Sequence, residues 1–426
     1  MSNEKKSEKT LGYAWVILIV CMIMQAVPFG IAKNTLPQFI SFVCEGEGFS
    51  LASFGTVFTA GVVISALSSP FIGRMFDNPA VNKKLLFTVG AAFSGGGFAL
   101  YAFCHSLPAF YGASAVVEVG CAIISAIGVP VMIQAWMPEK RAFALGLAFA
   151  GGGIGNIILQ QIVPRMLERY GHGYTYLVLG IISTAVAVPV SLLFIRMPEK
   201  DASVRNTADN GKKWGYSFSE LIKFPMFWVF AAGWIFVGLY VSGMTIQFMA
   251  YFVSLGYTTA ARANIGSVFA LFSIVGNIFG GAIFSKLGEI KGLFLAFVLL
   301  VAGAVSLLLA PYNVFWGYFF AVMLGISIYS YIIGPSYLTA SMFGNRFYGM
   351  IVGIVNIFFA AGYALGSIVF GLVARNGENY FGAWIYNLIC VIISSVLILL
   401  GTGNFLKRAA ERRNTEENRG EDAVHE

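Results

Sequence analysis

Glu118 is the residue whose chemistry stands out. It lies inside an apolar stretch, about nine residues or roughly 13 Å from the nearer helix end at 1.5 Å per residue. A carboxylate in hydrocarbon is costly unless it is paired or protonated. Glu118 therefore either loads and releases a proton or pairs with a cation, and Lys33, Arg165 and Arg169 are the candidates. Other apolar stretches carry neutral polar groups at helical spacing. Gly152, Asn156 and Gln160 share one face at steps of four. Ser273 and Asn277 share another, and so do Asn356 and Tyr363. Tyr329, Ser330 and Tyr331 precede Gly334-Pro335; Tyr240, Ser242, Thr245 and Gln247 form a further set; Gln25 stands alone. Each of these can bond a neighbouring helix or a polar solute.

Enzyme chemistry is missing from this pattern. His105, His172 and His425 fall in expected loops or the tail, and no nucleophile is paired with a base. The five cysteines have no metal or redox spacing, although Cys44 and Cys104 lie near the same end and a bond between them stays open. Gly151-Gly152-Gly153 lacks the Gly-Lys-(Ser/Thr) that a phosphate loop needs, so it reads as a helix-packing surface. We expect no enzyme activity, no cofactor and no metal.

The elements that must position these groups are membrane helices. The chain is 58% hydrophobic and 11% charged, with a mean hydropathy of +0.78, against about 25% charged residues in a soluble domain. Apolar segments recur at 11–35, 51–73, 84–105, 109–137, 142–167, 174–196, 222–254, 258–286, 291–310, 314–342, 347–374 and 380–406. Each can cross roughly 30 Å of hydrocarbon as a helix. Residues 1–10 and the tail from 407 to 426 read as loose polar ends, and no cleavage site follows the first apolar run. With the amino terminus inside, 22 of the 27 Lys and Arg fall in cytoplasmic stretches. Lys33, Arg165, Arg169, Arg262 and Arg375 fall outside. This asymmetry predicts a cell (inner) membrane protein with both termini cytoplasmic, and it explains the net charge of +7 without nucleic acid. The halves echo each other: Gly55 and Gly266, Gly73 and Gly281, and Arg141 and Arg346 are offset by 211, 208 and 205 residues. A near-constant offset indicates a duplicated six-helix unit. The domains are then 1–196, a linker at 197–215, 216–406 and the tail.

The turn between the fourth and fifth segments is the most distinctive stretch. Trp136, Pro138, Lys140, Arg141, Ala142, Ala144 and Gly146 match Trp-x-Pro-x-(Lys/Arg)-Arg-(Gly/Ala)-x-Ala-x-Gly, and a Gly-rich helix follows. In this the chain resembles the major facilitator superfamily, and within it the oxalate–formate antiporter and monocarboxylate transporter branch. Gly73 and Asp77 fit that superfamily's Gly-x-x-x-Asp signature, while Asn78 stands where a cation is usual. The resemblance implies twelve transmembrane helices in two pseudo-symmetric six-helix bundles, with access alternating by their rocking. It also implies gating by Gly73, Asp77 and Arg141. Members of the branch that bind small carboxylates carry an Arg in the eighth helix and some carry a Lys in the eleventh. Here Asn277 and Val355 or Asn356 stand at those places. Burying an anion without a cation is expensive, which disfavours an oxalate-like substrate and leaves open a monocarboxylate held by neutral donors, or a zwitterion.

The sequence thus reads as a secondary active transporter of a small, monocarboxylate-like organic acid, driven by protons or exchange and working as a monomer in the bilayer. The substrate-facing set is Gln25, Asn156, Gln160, Tyr240, Asn277, Tyr329, Tyr331, Asn356 and Tyr363, with Glu118 for proton coupling. Two alternatives stay open: export of amphipathic or cationic compounds, and a membrane sensor that transports nothing.

Overall fold

A computed structural model describes residues 2–198, 214–374 and 379–425. Most of the linker expected at 197–215 lies outside the described residues, as do Lys200, Arg205, Lys212, Lys213 and Arg375. Ten helical runs are long and apolar enough to cross a membrane among the described residues. Two of them are double. Arg141–Phe194 bends at Gly171 (φ 75°) and Ala260–Leu309 at Gly288 (φ 76°), a conformation that costs glycine little and other residues more. Each bend is a one-residue turn between two crossings, so the ten runs make twelve.

We number them α1 (Gly12–Ile40), α2 (Ser53–Asp77), α3 (Lys83–Phe103), α4 (Leu107–Trp136), α5 (141–170), α6 (172–194), α7 (Pro225–Ile246), α8 (260–287), α9 (289–309), α10 (Phe315–Phe343), α11 (Tyr348–Ala374) and α12 (Tyr380–Arg412). No β-strand occurs among the described residues. Helices α1 to α6 form one bundle and α7 to α12 the other. The repeat shows in the packing: α1 lies on α5 as α7 lies on α11. Large apolar side chains such as Leu67, Phe71, Phe294 and Leu372 face outward, which suits hydrocarbon as the surrounding solvent.

Both ends of the chain differ from the sequence reading. The first helix begins at Ser2, and the last continues to His425. The Glu, Lys, Arg and Ala content of these segments favours helix and lets each extend an apolar helix that is already nucleated. All five cysteines are free.

The helices on the bundle axis are irregular. In α1 the turns widen into a π-helix over Gln25–Asn34, around Pro28. In α4 they widen over Ala122–Ile127, just before Pro130. A proline ring clashes with the carbonyl four residues earlier and donates no hydrogen bond, so the helix opens there. In the second bundle, a break at Gln247 separates α7 from a short helix, Phe248–Ser254, and α10 is interrupted at Ile328 and Ile333.

The bundles meet through α2 with α11 and α5 with α8. Asp77, the 136–141 turn and the 343–348 turn share the end where these contacts are tightest, hereafter the basic end. There a Cβ added to Gly73 would sit 2.1 Å from the Gly349 carbonyl oxygen, and one on Gly146 2.1 Å from that of Asn277. At the far ends of α2 and α11, Gly55 and Gly371 have nothing within 4 Å of such a Cβ.

Candidate functional site

Lys33 ends the wide-turned stretch of α1 and lies inside the span Gly12–Ile40. Helical structure continues past it through Leu36–Glu47. Its ammonium contacts the Glu118 carboxylate on α4 as an ion pair. The Glu118 side chain is 4% exposed and the Lys33 side chain 26%, so the pair opens to solvent only on the lysine side. The second Glu118 oxygen, Oε2, has no hydrogen-bond partner among the described residues. Arg165, another candidate partner, instead donates to the Gln161 carbonyl of its own helix at 3.0 Å. Arg169 stacks on Tyr170.

Helix α1 thus carries a cation, while Asn277 of α8 and Asn356 of α11 are neutral. Across from it, the second bundle presents tyrosines. Tyr363 of α11 lies within electrostatic reach of Lys33, and Tyr331 of α10 within reach of Tyr363. Tyr240 of α7 is fully buried beside Ser330 and Tyr331. The Tyr331 hydroxyl and the Asn277 side-chain oxygen have no hydrogen-bond partner among the described residues. Both are only 7% exposed. Unpaired polar atoms in such places mark positions where water or a polar solute can be held.

The other sequence candidates are distributed around this centre. Gln160 donates to Asn156 at 3.2 Å and accepts from Gln38 at 2.7 Å, forming a polar row between α5 and the end of α1. Asn356 is half-buried on α11. Tyr329 is turned into its own bundle, where its hydroxyl donates to the Gly292 carbonyl at 2.8 Å. Gln25 is 1% exposed and bonded to Ser125 of α4.

A second set of contacts joins the bundles at the basic end. Both Asp77 oxygens accept backbone N–H groups of α11, from Gly349 and from Met350, each at 2.9 Å. A carboxylate there meets two unpaired donors and the positive end of the helix dipole. Gly73 lets the two backbones come this close. Lys83 stands in for the cation missing at Asn78. Its ammonium reaches back to the Met75 carbonyl at 2.9 Å and to that of Asn78, at the carboxyl end of α2. Arg141 donates to Ser341 of α10 and lies 4.7 Å from the Tyr337 ring centroid, while Ser341 donates to Glu289 at 2.7 Å. These four residues border a polar cavity of 480 Å³ that Ser285 and Ala409 also line. None of the midplane candidates lines it. The sequence pointed to Asp77 and Arg141 but held no sign of Ser341 or Glu289, whose role depends on which helix faces α5.

The Major Facilitator Superfamily description matches residues 10–367. The chain belongs to that superfamily. It is accordingly a multi-pass membrane transporter of a small molecule, not an enzyme. Among its relatives is the oxalate:formate antiporter of Oxalobacter formigenes, 26% identical over 409 residues that cover 94% of each chain. Monocarboxylate transporter 12 of Xenopus laevis is 22% identical over 444 residues, covering 96% of this chain and 93% of that one. The fold matches the transporter FucP in its outward conformation with a TM-score of 0.62 at 17% identity, over 90% of this chain and 97% of that one. It matches the human organic anion transporter MFSD10 with a TM-score of 0.60 at 12% identity, over 91% and 97%.

Proposed function

We propose that this superfamily member moves a small monocarboxylate-like organic acid across the cell membrane by alternating access, with protons or by exchange. The observation that carries this reading is the Lys33–Glu118 ion pair between α1 and α4, with the carboxylate buried. Its relatives, an oxalate:formate antiporter and monocarboxylate transporters, agree with it.

The geometry suggests a carboxylate swap. Without substrate, Glu118 neutralises Lys33. A substrate carboxylate entering from the open lysine side competes for the ammonium and can accept hydrogen bonds from the Tyr363 and Tyr331 hydroxyls opposite. Glu118 is then left charged in a site that water hardly reaches. Breaking a buried pair in this way costs about 3–5 kcal/mol, and a proton on Glu118 removes that cost. One monoanion and one proton would thus be taken up together. A second carboxylate on the substrate would find no second cation, since Asn277 and Asn356 are neutral.

The basic end carries most of the Lys and Arg, so we place it in the cytoplasm together with both termini. The bundles then meet on the cytoplasmic side, and the substrate enters from outside. Asp77, Gly73 and Arg141 hold that side shut. We take the working unit to be the monomer, since the pair and the wall opposite it come from a single chain. The reading is tested in proteoliposomes with labelled formate, lactate, oxalate and a lipophilic amine. Uptake of a monocarboxylate that Lys33→Gln abolishes supports it. Amine transport, or monocarboxylate uptake indifferent to Lys33→Gln, contradicts it.

A further inference from the structure

Gln25 and Ser125 form the most completely buried polar contact between α1 and α4, and each is 1% exposed. The Gln25 amide nitrogen donates to Ser125 Oγ at 2.8 Å, and that hydroxyl lies 3.1 Å from the amide oxygen. The contact therefore uses both ends of the amide on one hydroxyl. Gln25 begins the wide-turned stretch of α1, and Ser125 lies inside that of α4. Both stretches owe their widening to a proline, and a widened helix is where register is least fixed by its own backbone bonds.

We propose that Gln25 and Ser125 are positioning residues whose buried pair pins the register of α1 against α4, so that Lys33 meets Glu118. The helices run antiparallel, and the spacings match. Lys33 is eight residues after Gln25, and Glu118 is seven before Ser125. At about 1.5 Å per residue these are similar lengths, roughly 12 Å and 10.5 Å, so the two contacts face each other near the start and the end of the widened stretch of α1. A slip of one residue in α1 turns Lys33 by about 100° and moves it by about 1.5 Å. Either change takes the ammonium off the carboxylate. Gln25 does not touch substrate in this arrangement, because its amide is already bonded and buried. The inference rests on the reading of Lys33–Glu118 as the charged centre, but part of its test does not depend on what is transported.

The substrate-independent part uses Lys33→Cys in a Cys44→Ser background, where the remaining native cysteines are buried. The rate at which a water-soluble thiol reagent labels position 33 reports the rotation of α1. Gln25→Met, which keeps volume without hydrogen bonds, and Ser125→Ala should each change that rate tenfold or more. Ser125→Thr, which keeps the hydroxyl, should leave it within twofold. Rates that stay unchanged in both disrupting variants overturn the proposal whatever the substrate is. The second part uses transport with Lys33 intact. Gln25→Met should raise KM about tenfold and shift the pH profile, and it should add nothing in a Glu118→Gln background, because the two act through one contact. An equal effect with and without Glu118 would mean that Gln25 acts on its own, and the proposal fails. If Gln25→Met and Ser125→Ala both lose folded protein, the pair is a brace of the bundle and the proposal fails as well.

Discussion

Replacing Asp77 by Asn should open the basic end. The carboxylate accepts two backbone N–H groups at the start of α11, both at 2.9 Å. A hydrogen bond to a charged group contributes about 1.5–3 kcal/mol. Interaction of the charge with the helix terminus adds about 0.3–1 kcal/mol. Asn keeps one carbonyl acceptor, so the variant loses one bond and the charge, or about 2–4 kcal/mol. Because these contacts join the two bundles, the whole loss falls on the closed state. At 1.4 kcal/mol per tenfold, the ratio of open to closed basic ends rises by roughly 30- to 700-fold. Ser69→Cys reports that ratio: Ser69 is 2% exposed and packs against Gly353 across the bundle contact. Its thiol is reached only when the bundles part, so its labelling rate follows the open population. Added to the Ser69→Cys protein, Asp77→Asn should raise that rate by roughly 30- to 700-fold. A rate within twofold of the parent would refute the idea that Asp77 holds this end shut.

Gly146→Ala should act in the same direction, because its Cβ would lie 2.1 Å from the Asn277 carbonyl oxygen, a backbone atom that cannot swing away. Labelling of Ser69→Cys should rise at least tenfold, and an unchanged rate would show that α5 and α8 can separate without opening this end. Lys33→Gln should lower monocarboxylate uptake at least a hundredfold while the amount of folded protein in the membrane stays near normal; loss of the protein instead would make the ion pair a folding element. Glu220, before α7, accepts the Ser217 backbone N–H at 2.7 Å, and this bond holds its carboxyl below the ordinary carboxylate range. Its stabilising effect is present above the unfolded value of about 4.3 and disappears as pH falls through the lower folded value. Protection of the amides of residues 217–221 against hydrogen exchange, relative to the unstructured chain at the same pH, should therefore fall below about pH 4, and Glu220→Gln should remove that dependence.

The fold was legible in the sequence because hydrophobic length, basic asymmetry and the repeat offsets all point to the same twelve-crossing architecture. The site was only partly legible. Glu118 stood out as a carboxylate in an apolar run, and its pairing depended on where α1 ends. The basic count assigned Lys33 to the outer side, and only the helix that continues through the wide turns around Pro28 brings its ammonium to the Glu118 carboxylate. Gln25, eight residues before Lys33, was the available signal that this stretch of α1 faces a polar partner. Looking for a cation at Asn277 and Asn356 directed attention to α8 and α11, when the cation lies on α1. The helical ends were missed because composition alone does not show that a charged segment extends a helix already nucleated by an apolar one.

The measurement that bears most directly on the carboxylate swap is the number of protons moved with each substrate molecule in proteoliposomes, with and without Glu118→Gln. The swap predicts one proton per monocarboxylate in the native protein. In Glu118→Gln it predicts that uptake driven by a pH gradient collapses while exchange of labelled for unlabelled substrate survives, because Lys33 still binds the anion and no group next to it can carry the proton. Unchanged proton-driven uptake in Glu118→Gln would contradict the account and leave Glu118 as a fixed counter-ion to Lys33.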